Sequence, residues 1–299
     1  MLRLGMKTVK LFTTYSDSGR RTDDETIIEL LKLSNRYHFL VMAHVENDAM
    51  IKINPDYTYR DLPKSRPSDS ELTEALKLAG FVKVYGGYLY MVHLSSGRTL
   101  ERLISDFPDL INRRFFIESC PQYFLFNDRV LARADGYLYT CAPPLRSPKE
   151  QELLHKHKDH IATIATDHCA FHRTDKNREK LVGMPLGLGG IEFSFVTMRN
   201  VYHDELIERM SSRVAGLMGL EKKGRIAVGQ DADLSFFNPK PQIVKEHHGR
   251  ADYSVYEGQA SAGAFVRVLL RGRWAMVDGQ LADTRGQPLQ GGTISCAKP

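Results

Sequence analysis

The stretch TVKLFTTYSD, residues 8–17, decides the fold. Val9, Leu11 and Phe12 form a short apolar run bracketed by Gly5 and by Ser16-Asp17, the pattern of a buried strand ending in a turn. Side chains alternate along a strand, so Lys10 points away from Val9 and Leu11 and shares a face with Phe12 and Thr14. An unpaired ammonium inside a core is costly. Either Lys10 snorkels to water from an edge strand, or the interior it faces has a use for it.

Four similar runs follow, at 39–45 (FLVMAHV), 88–94 (YLYMVHL), 114–119 (RFFIES) and 161–166 (IATIAT). They are apolar without strict alternation, as parallel strands covered on both faces should be. Helical patterns over 25–37, 71–84, 99–107 and 149–158 separate them. Capping boxes are expected at Thr22 with Glu25, Ser68 with Glu71, and Ser147 with Glu150, the last with Pro148 at the first helical position. Such alternation predicts an α/β architecture with a parallel sheet and right-handed crossovers. A complete eight-stranded barrel needs about 250 residues. Here the alternation stops near residue 219, after a further helical stretch at 204–220. The glycine-punctuated remainder, with GRIAVGQDADLSFF and AFVRVLLRGRWAMVDGQL, reads as strands of a smaller second domain. The expected organisation is a barrel-type domain over 1–219, a β domain over 220–284 and a loose tail over 285–299.

Composition narrows the function. Of 299 residues, 42% are hydrophobic and 26% charged, which is ordinary for a soluble globular chain. The net charge of +5 is dispersed, which argues against a nucleic-acid partner. No run reaches the length of a membrane span, and the first residues lack the apolar block of a signal peptide. Cys120, Cys141, Cys169 and Cys296 are widely and irregularly spaced, as reduced thiols of a cytoplasmic protein would be.

Polar residues collect at one end of the strands. Lys10 lies on the first, His44 closes the second, His93 closes the third, and Asp167-His168 follow the fifth. The C-terminal strand ends of a parallel barrel build its active site. One strand-end histidine is more often a hydrogen-bonded structural residue, but four such residues on four strands point jointly to a metal centre. The pair His155/His157 lies among charges in a helical run and reads as a solvated helix end, as does His247-His248 in a polar connection.

The motifs VKLFTTY, AHVEND, VHLSSG, ESCPQY, APPLRSPKEQ, ATDHCAF, GRIAVGQDADL and ADYSVYEG occur in this order. Together they resemble the cyclic amidohydrolases of the hydantoinase and dihydropyrimidinase family. The resemblance implies a partial TIM (β/α)8 barrel, strands four to eight, with part of a small β-sandwich domain. It answers the question of Lys10: that lysine reacts with carbon dioxide, and the resulting carbamate bridges two divalent metal ions, zinc being the implied metal. His44 and His93 complete the shell of one ion, Asp167 binds the other and shuttles a proton, and Tyr15 hydrogen-bonds the developing oxyanion. Ala142 and Leu186 stand where the family holds the ring amide, mainly through backbone atoms, although the family has serine and asparagine there. The implied reaction opens a hydantoin or dihydropyrimidine ring, in a homo-oligomer (dimer or tetramer) without membrane or nucleic-acid partners.

Family members also carry a His-x-His pair on their first strand, for which this sequence has no counterpart. The second ion is thus left with Asp167 and a share of the carbamate, and activity of this chain alone is expected to be impaired. A truncated product and a chain completed by another polypeptide both fit. Two other readings are an allantoinase or dihydroorotase and a non-catalytic oligomeric scaffold; CPQY and DYSVYEG favour the hydantoinase side.

Overall fold

The structure, a computed structural model, describes residues 5–283 and 285–289. Cys296 and most of the expected 285–299 tail lie outside the described residues. The described chain divides into two units, one of residues 8–192 with 247–255 and one of residues 193–246 with residues 5–7 and the described residues from 256 onward.

In the first unit, β1 (Thr8–Phe12), β2 (Leu40–His44), β3 (Leu89–Met91), β4 (Phe115–Ser119) and β5 (Thr163–Ile164) form one sheet in sequential order. All four pairings are parallel. These are five consecutive strands of a (β/α)8 barrel. Their register aligns Val9, Val41, Leu89 and Phe115 in one row, and Leu11, Ala43, Met91 and Ile117 in another. These rows make the apolar face that the helices cover, through buried Ile27, Leu31, Leu78, Val82, Leu100 and Leu103. Among the described residues no helix is long and apolar enough to cross a membrane.

The helix ends differ in part from expectation. The helix Asp24–Tyr37 is capped by Asp23, whose carboxylate accepts from the Thr26 N–H at 2.7 Å, one residue past the expected Thr22. Ser68 is the first residue of the helix Ser68–Tyr85, after Pro67, and does not cap it. Its supposed partner Glu71 is buried and accepts from the backbone N–H groups of Ser95 and Ser96 instead. Ser147 does cap the helix Pro148–Lys156, accepting from the Glu150 N–H. The Glu150 carboxylate accepts from Ser96 Oγ and the Arg98 N–H, so it joins two helices rather than closing a box.

In the second unit, β6 (Leu234–Asn238), β9 (Ala264–Leu270), β10 (Arg273–Val277) and β11 (Gln280–Leu281) form an antiparallel sheet in the order β11-β10-β9-β6. β7 (Gln242–Ile243) pairs with β8 (Ala260–Ser261). Both hairpins turn on two residues of positive φ, Arg271-Gly272 and Asp278-Gly279, the backbone that a two-residue hairpin loop requires. Phe195, Phe237 and Phe265 stack mutually with centroids 5.0–5.5 Å apart. The single helix expected over 204–220 is broken at Ser211 into Glu205–Met210 and Ser212–Met218, and the helix Ser194–Tyr202 was not foreseen.

Candidate active site

The sheet register delivers the polar residues. Lys10 lies in the row of Met42, Tyr90 and Phe116, and His44 is level with Phe12 on the same face. Strict alternation would put His93 with Leu89 and Met91, on the helix side. The backbone at His93 has φ 42°, and its ring meets His44 instead. Positive φ is uncommon outside glycine and costs about 1–3 kcal/mol, so the surroundings must hold it. They do: the His93 N–H donates to Glu118 Oε1 at 3.1 Å, the Leu94 N–H to the Glu118 carbonyl at 2.8 Å, and Ser119 Oγ to the Leu94 carbonyl at 2.7 Å. Tyr15 (φ 74°) and Asp167 (φ 44°) share this backbone state.

His44 Nδ1 and His93 Nε2 are 3.1 Å apart, and both residues are buried. His44 Nε2 is 2.6 Å from Glu46 Oε2, and Arg66 grips the same carboxylate with Nη2 at 2.7 Å and Nε at 3.1 Å. Arg66 holds the Glu46 pKa down against full burial, so the carboxylate stays ionised. An ionised acceptor fixes the His44 proton on Nε2 and leaves a lone pair on Nδ1. That lone pair and His93 Nε2 share one gap, which must hold a proton or a cation. Burial lowers the pKa of both imidazoles, against Glu46 at His44, while His44 and Lys10 add to the effect at His93. Neutral rings are the ligating form. Nitrogens bound at about 2.0–2.1 Å to one tetrahedral zinc lie about 3.3 Å apart, so the pair fits a single ion. His93 Nδ1 is buried without a hydrogen-bond partner in the structure.

Lys10 is exposed, not enclosed in a core, yet desolvation of its amine lowers its pKa, opposed by Glu118 and Asp167. Asp167 is also exposed as a residue, while desolvation raises its carboxyl pKa against Lys10 and His44. Lys10 thus acts electrostatically on His44, His93 and Asp167. Among the described residues no three His, Cys, Asp or Glu side chains cluster as a metal site.

Tyr15 stacks 5.2 Å from the His44 ring, with the guanidinium carbons of Arg20 and Arg66 at 4.5 and 4.9 Å from its own ring centroid. Burial raises its pKa, so it remains a hydroxyl donor. Beside it opens a cavity of about 630 Å³, lined by Tyr15, Arg66, Ile51, Leu181, Met184 and Leu186 among others. Ala142, half-buried in an otherwise buried segment, precedes Pro143 and is not part of that lining.

Sequence reasoning missed the supports. Glu46 stands two residues after His44, just past the end of β2, and that spacing could have revealed it. Glu118, buried, has its pKa pushed up to about 7 by desolvation, against hydrogen bonds from Tyr90 and the His93 N–H; Tyr90 Oη lies 2.5 Å from it. Arg146 donates Nε to Ser95 Oγ and Nη1 to the Arg66 carbonyl, tying the His93 loop to the Arg66 loop. Glu118 opens the motif ESCPQY and Arg146 lies in APPLRSPKEQ, so both stretches were marked, but no spacing within them gives either residue its role. The two other histidine pairs lie elsewhere: His157 pairs with Glu101 at 3.1 Å and His248 with Glu192 at 2.6 Å.

The sequence pattern of the Amidohydrolase family matches residues 63–275. A D-phenylhydantoinase of Escherichia coli O127:H6 is 30% identical over a 311-residue alignment covering 96% of this chain and 66% of that protein. The chain therefore spans just under two thirds of the length of the curated relatives it matches. Among solved structures, a D-hydantoinase (dihydropyrimidinase) from Thermus sp. superposes with a TM-score of 0.89 at 27% identity, covering 98% of this chain and 70% of that one. A dihydroorotase from Saccharomyces cerevisiae, at 12% identity, TM-score 0.65 and coverage of 90% and 74%, shares the fold.

Proposed function

Because the chain belongs to the amidohydrolase family, we propose that it hydrolyses a cyclic amide of the hydantoin or dihydropyrimidine class at the centre around Lys10, His44, His93 and Asp167. The observation that carries this reading is the gap between His44 Nδ1 and His93 Nε2, 3.1 Å wide, with the His44 tautomer set by Glu46. The likeness to D-hydantoinases supports the substrate class. In this reading His44 and His93 hold a divalent ion, zinc by the chemistry of its nitrogen ligands, together with a carbamate on Lys10. Such an ion supplies Lewis-acid polarisation of an amide carbonyl and acidification of water.

The remaining steps belong to side chains. The neutral Lys10 amine, which desolvation favours over the ammonium, would add to carbon dioxide and release one proton to give the carbamate. Asp167, its pKa raised, accepts the proton of the attacking water and returns it to the leaving ring nitrogen. Tyr15 donates to the carbonyl oxygen as negative charge develops, and Ala142 and Leu186 offer backbone atoms to the ring amide. A second ion needs ligands beyond Asp167. Homo-oligomerisation and a cytoplasmic, reduced setting complete the proposal.

The test is purified protein loaded with zinc, assayed for ring opening of hydantoin and dihydrouracil by chromatography and for metal by mass spectrometry. We expect about one zinc per chain in the wild type and background zinc in His93→Ala. Unchanged zinc in His93→Ala would remove His93 from the site. A scaffold is the second reading, favoured by the absence of a three-ligand cluster among the described residues. A folded oligomer without zinc or ring opening would establish it.

A further inference from the structure

Lys176 is a buried cation that the centre around Lys10 does not use. It ends the helical turn Arg173–Lys176, and its exposure is 0%. Its Nζ donates to the carbonyl oxygens of Leu138 at 3.0 Å, Thr140 at 2.8 Å and Gly187 at 2.8 Å. Those bonds use all three N–H groups of an ammonium. Burial pulls its pKa down to about 8, while three carbonyl dipoles favour the charged form. An apolar side chain would fill this space at lower cost. What the ammonium adds is a link between two backbone segments far apart in the sequence, that of Leu138 and Thr140 and that of Gly187.

Those segments carry the substrate-facing positions. Thr140 precedes Cys141-Ala142, and Gly187 follows Leu186, which lines the cavity. The Gly187 N–H also donates to the Thr140 carbonyl at 3.0 Å, so that oxygen serves both the lysine and the opposite loop. Gly187 is pressed against Cys169: a Cβ there would lie 2.7 Å from the Cys169 carbonyl oxygen. The Cys169 N–H donates to the Leu188 carbonyl at 2.8 Å, and Cys169 stands two residues after Asp167. Three chain segments, those of Ala142, Leu186 and Asp167, therefore meet at one knot.

We propose that Lys176 is a positioning residue, whose ammonium sets the backbone of 140–142 and 186–187 in the relation needed to grip a ring amide. The identity of the gripped group rests on the cyclic-amide reading; the knot itself does not. Met keeps the length of lysine and removes its donors, and Gln keeps two N–H groups.

Hydrogen exchange on the full chain should show the Gly187 amide exchanging at least about tenfold faster in Lys176→Met, with Lys176→Gln intermediate. Maleimide labelling of buried Cys141 should accelerate similarly. The amides of Leu94 and Ala162, bonded within the sheet, should keep their wild-type rates. In hydantoin turnover, Lys176→Met should raise KM at least about tenfold with kcat within about threefold, the split expected when uniform binding is lost. Wild-type rates at Gly187 and Cys141 in both variants would overturn the knot. Loss of protection throughout the sheet in both variants would make Lys176 a general fold support and overturn the positioning role. Loosened loops with an unchanged KM would overturn its bearing on the substrate. Wild-type protein that opens no hydantoin would defeat the cyclic-amide reading, while the exchange and labelling results still decide the knot.

Discussion

His44 is defined chemically by two neighbouring side chains. Glu46, buried at the end of β2, accepts from Nε2, and Arg66 keeps that carboxylate ionised. Removing one partner of a buried ion pair leaves the other charge uncompensated, at a cost of about 3–5 kcal/mol. Glu46→Gln should therefore lower unfolding free energy by roughly 3 kcal/mol in urea titrations, through the stranded Arg66 guanidinium. It should also weaken zinc binding by about 10- to 100-fold in competition with a chromophoric chelator, since the amide no longer anchors the tautomer as an anion. Wild-type zinc affinity in a folded Glu46→Gln protein would show that the tautomer is set elsewhere. At the same scale, Lys10 meets both demands posed by its sequence: it is exposed on an edge strand, and it faces Glu118, Asp167 and two imidazoles.

Elements hold this centre by close backbone contact. The helix Gly97–Asp106 starts directly after the loop carrying His93 and Ser95, with Ser96 as its cap accepting from the Thr99 N–H at 3.1 Å. It meets the helix Pro148–Lys156 at Gly97, where an added Cβ would lie 2.2 Å from the Glu150 carbonyl oxygen and 2.3 Å from the Leu154 nitrogen. Neither atom belongs to a flexible side chain, so the helices would have to separate. Gly97→Ala, favourable by helix propensity alone, should instead destabilise the protein by about 3 kcal/mol, seen as a lowered Tm. A neutral or raised Tm would mean that the two helices pack with slack. The Ser96–Glu150 bond lies at the same crossing, so the caps and the crossing form one joint.

At the scale of the molecule, the parallel sheet is open among the described residues. Among the described residues β1 pairs only with β2, apart from a lone bridge between Phe12 and Arg21, and β5 pairs only with β4. Unpaired strand edges template association, and Lys10 on β1 is a charge of the kind that blunts such an edge. A polypeptide of these 299 residues should self-associate, with a sedimentation coefficient that rises with concentration. A monomer over the whole accessible concentration range would show that the edges are protected.

Legibility followed the range of the forces involved. Strand positions and most helices rest on local periodicity, as at Val9–Phe12, whereas the two hairpins of the second unit, whose turn chemistry is also local at Asp278-Gly279, were read only as glycine-punctuated strands. Lys10, His44, His93 and Asp167 were visible because strand ends in a parallel sheet converge by topology. Glu71 misled because a serine–glutamate spacing describes a capping box equally well when the glutamate turns inward to bind Ser95 and Ser96. The sequence by itself determined the strand order and put Lys10 and His44 on one face of the sheet, since alternation and strand order follow from neighbours along the chain. Only the tertiary structure decided how they are held: the left-handed backbone at His93, the Glu46–Arg66 anchor and the Lys176 knot depend on groups from distant segments, whose meeting no local pattern encodes.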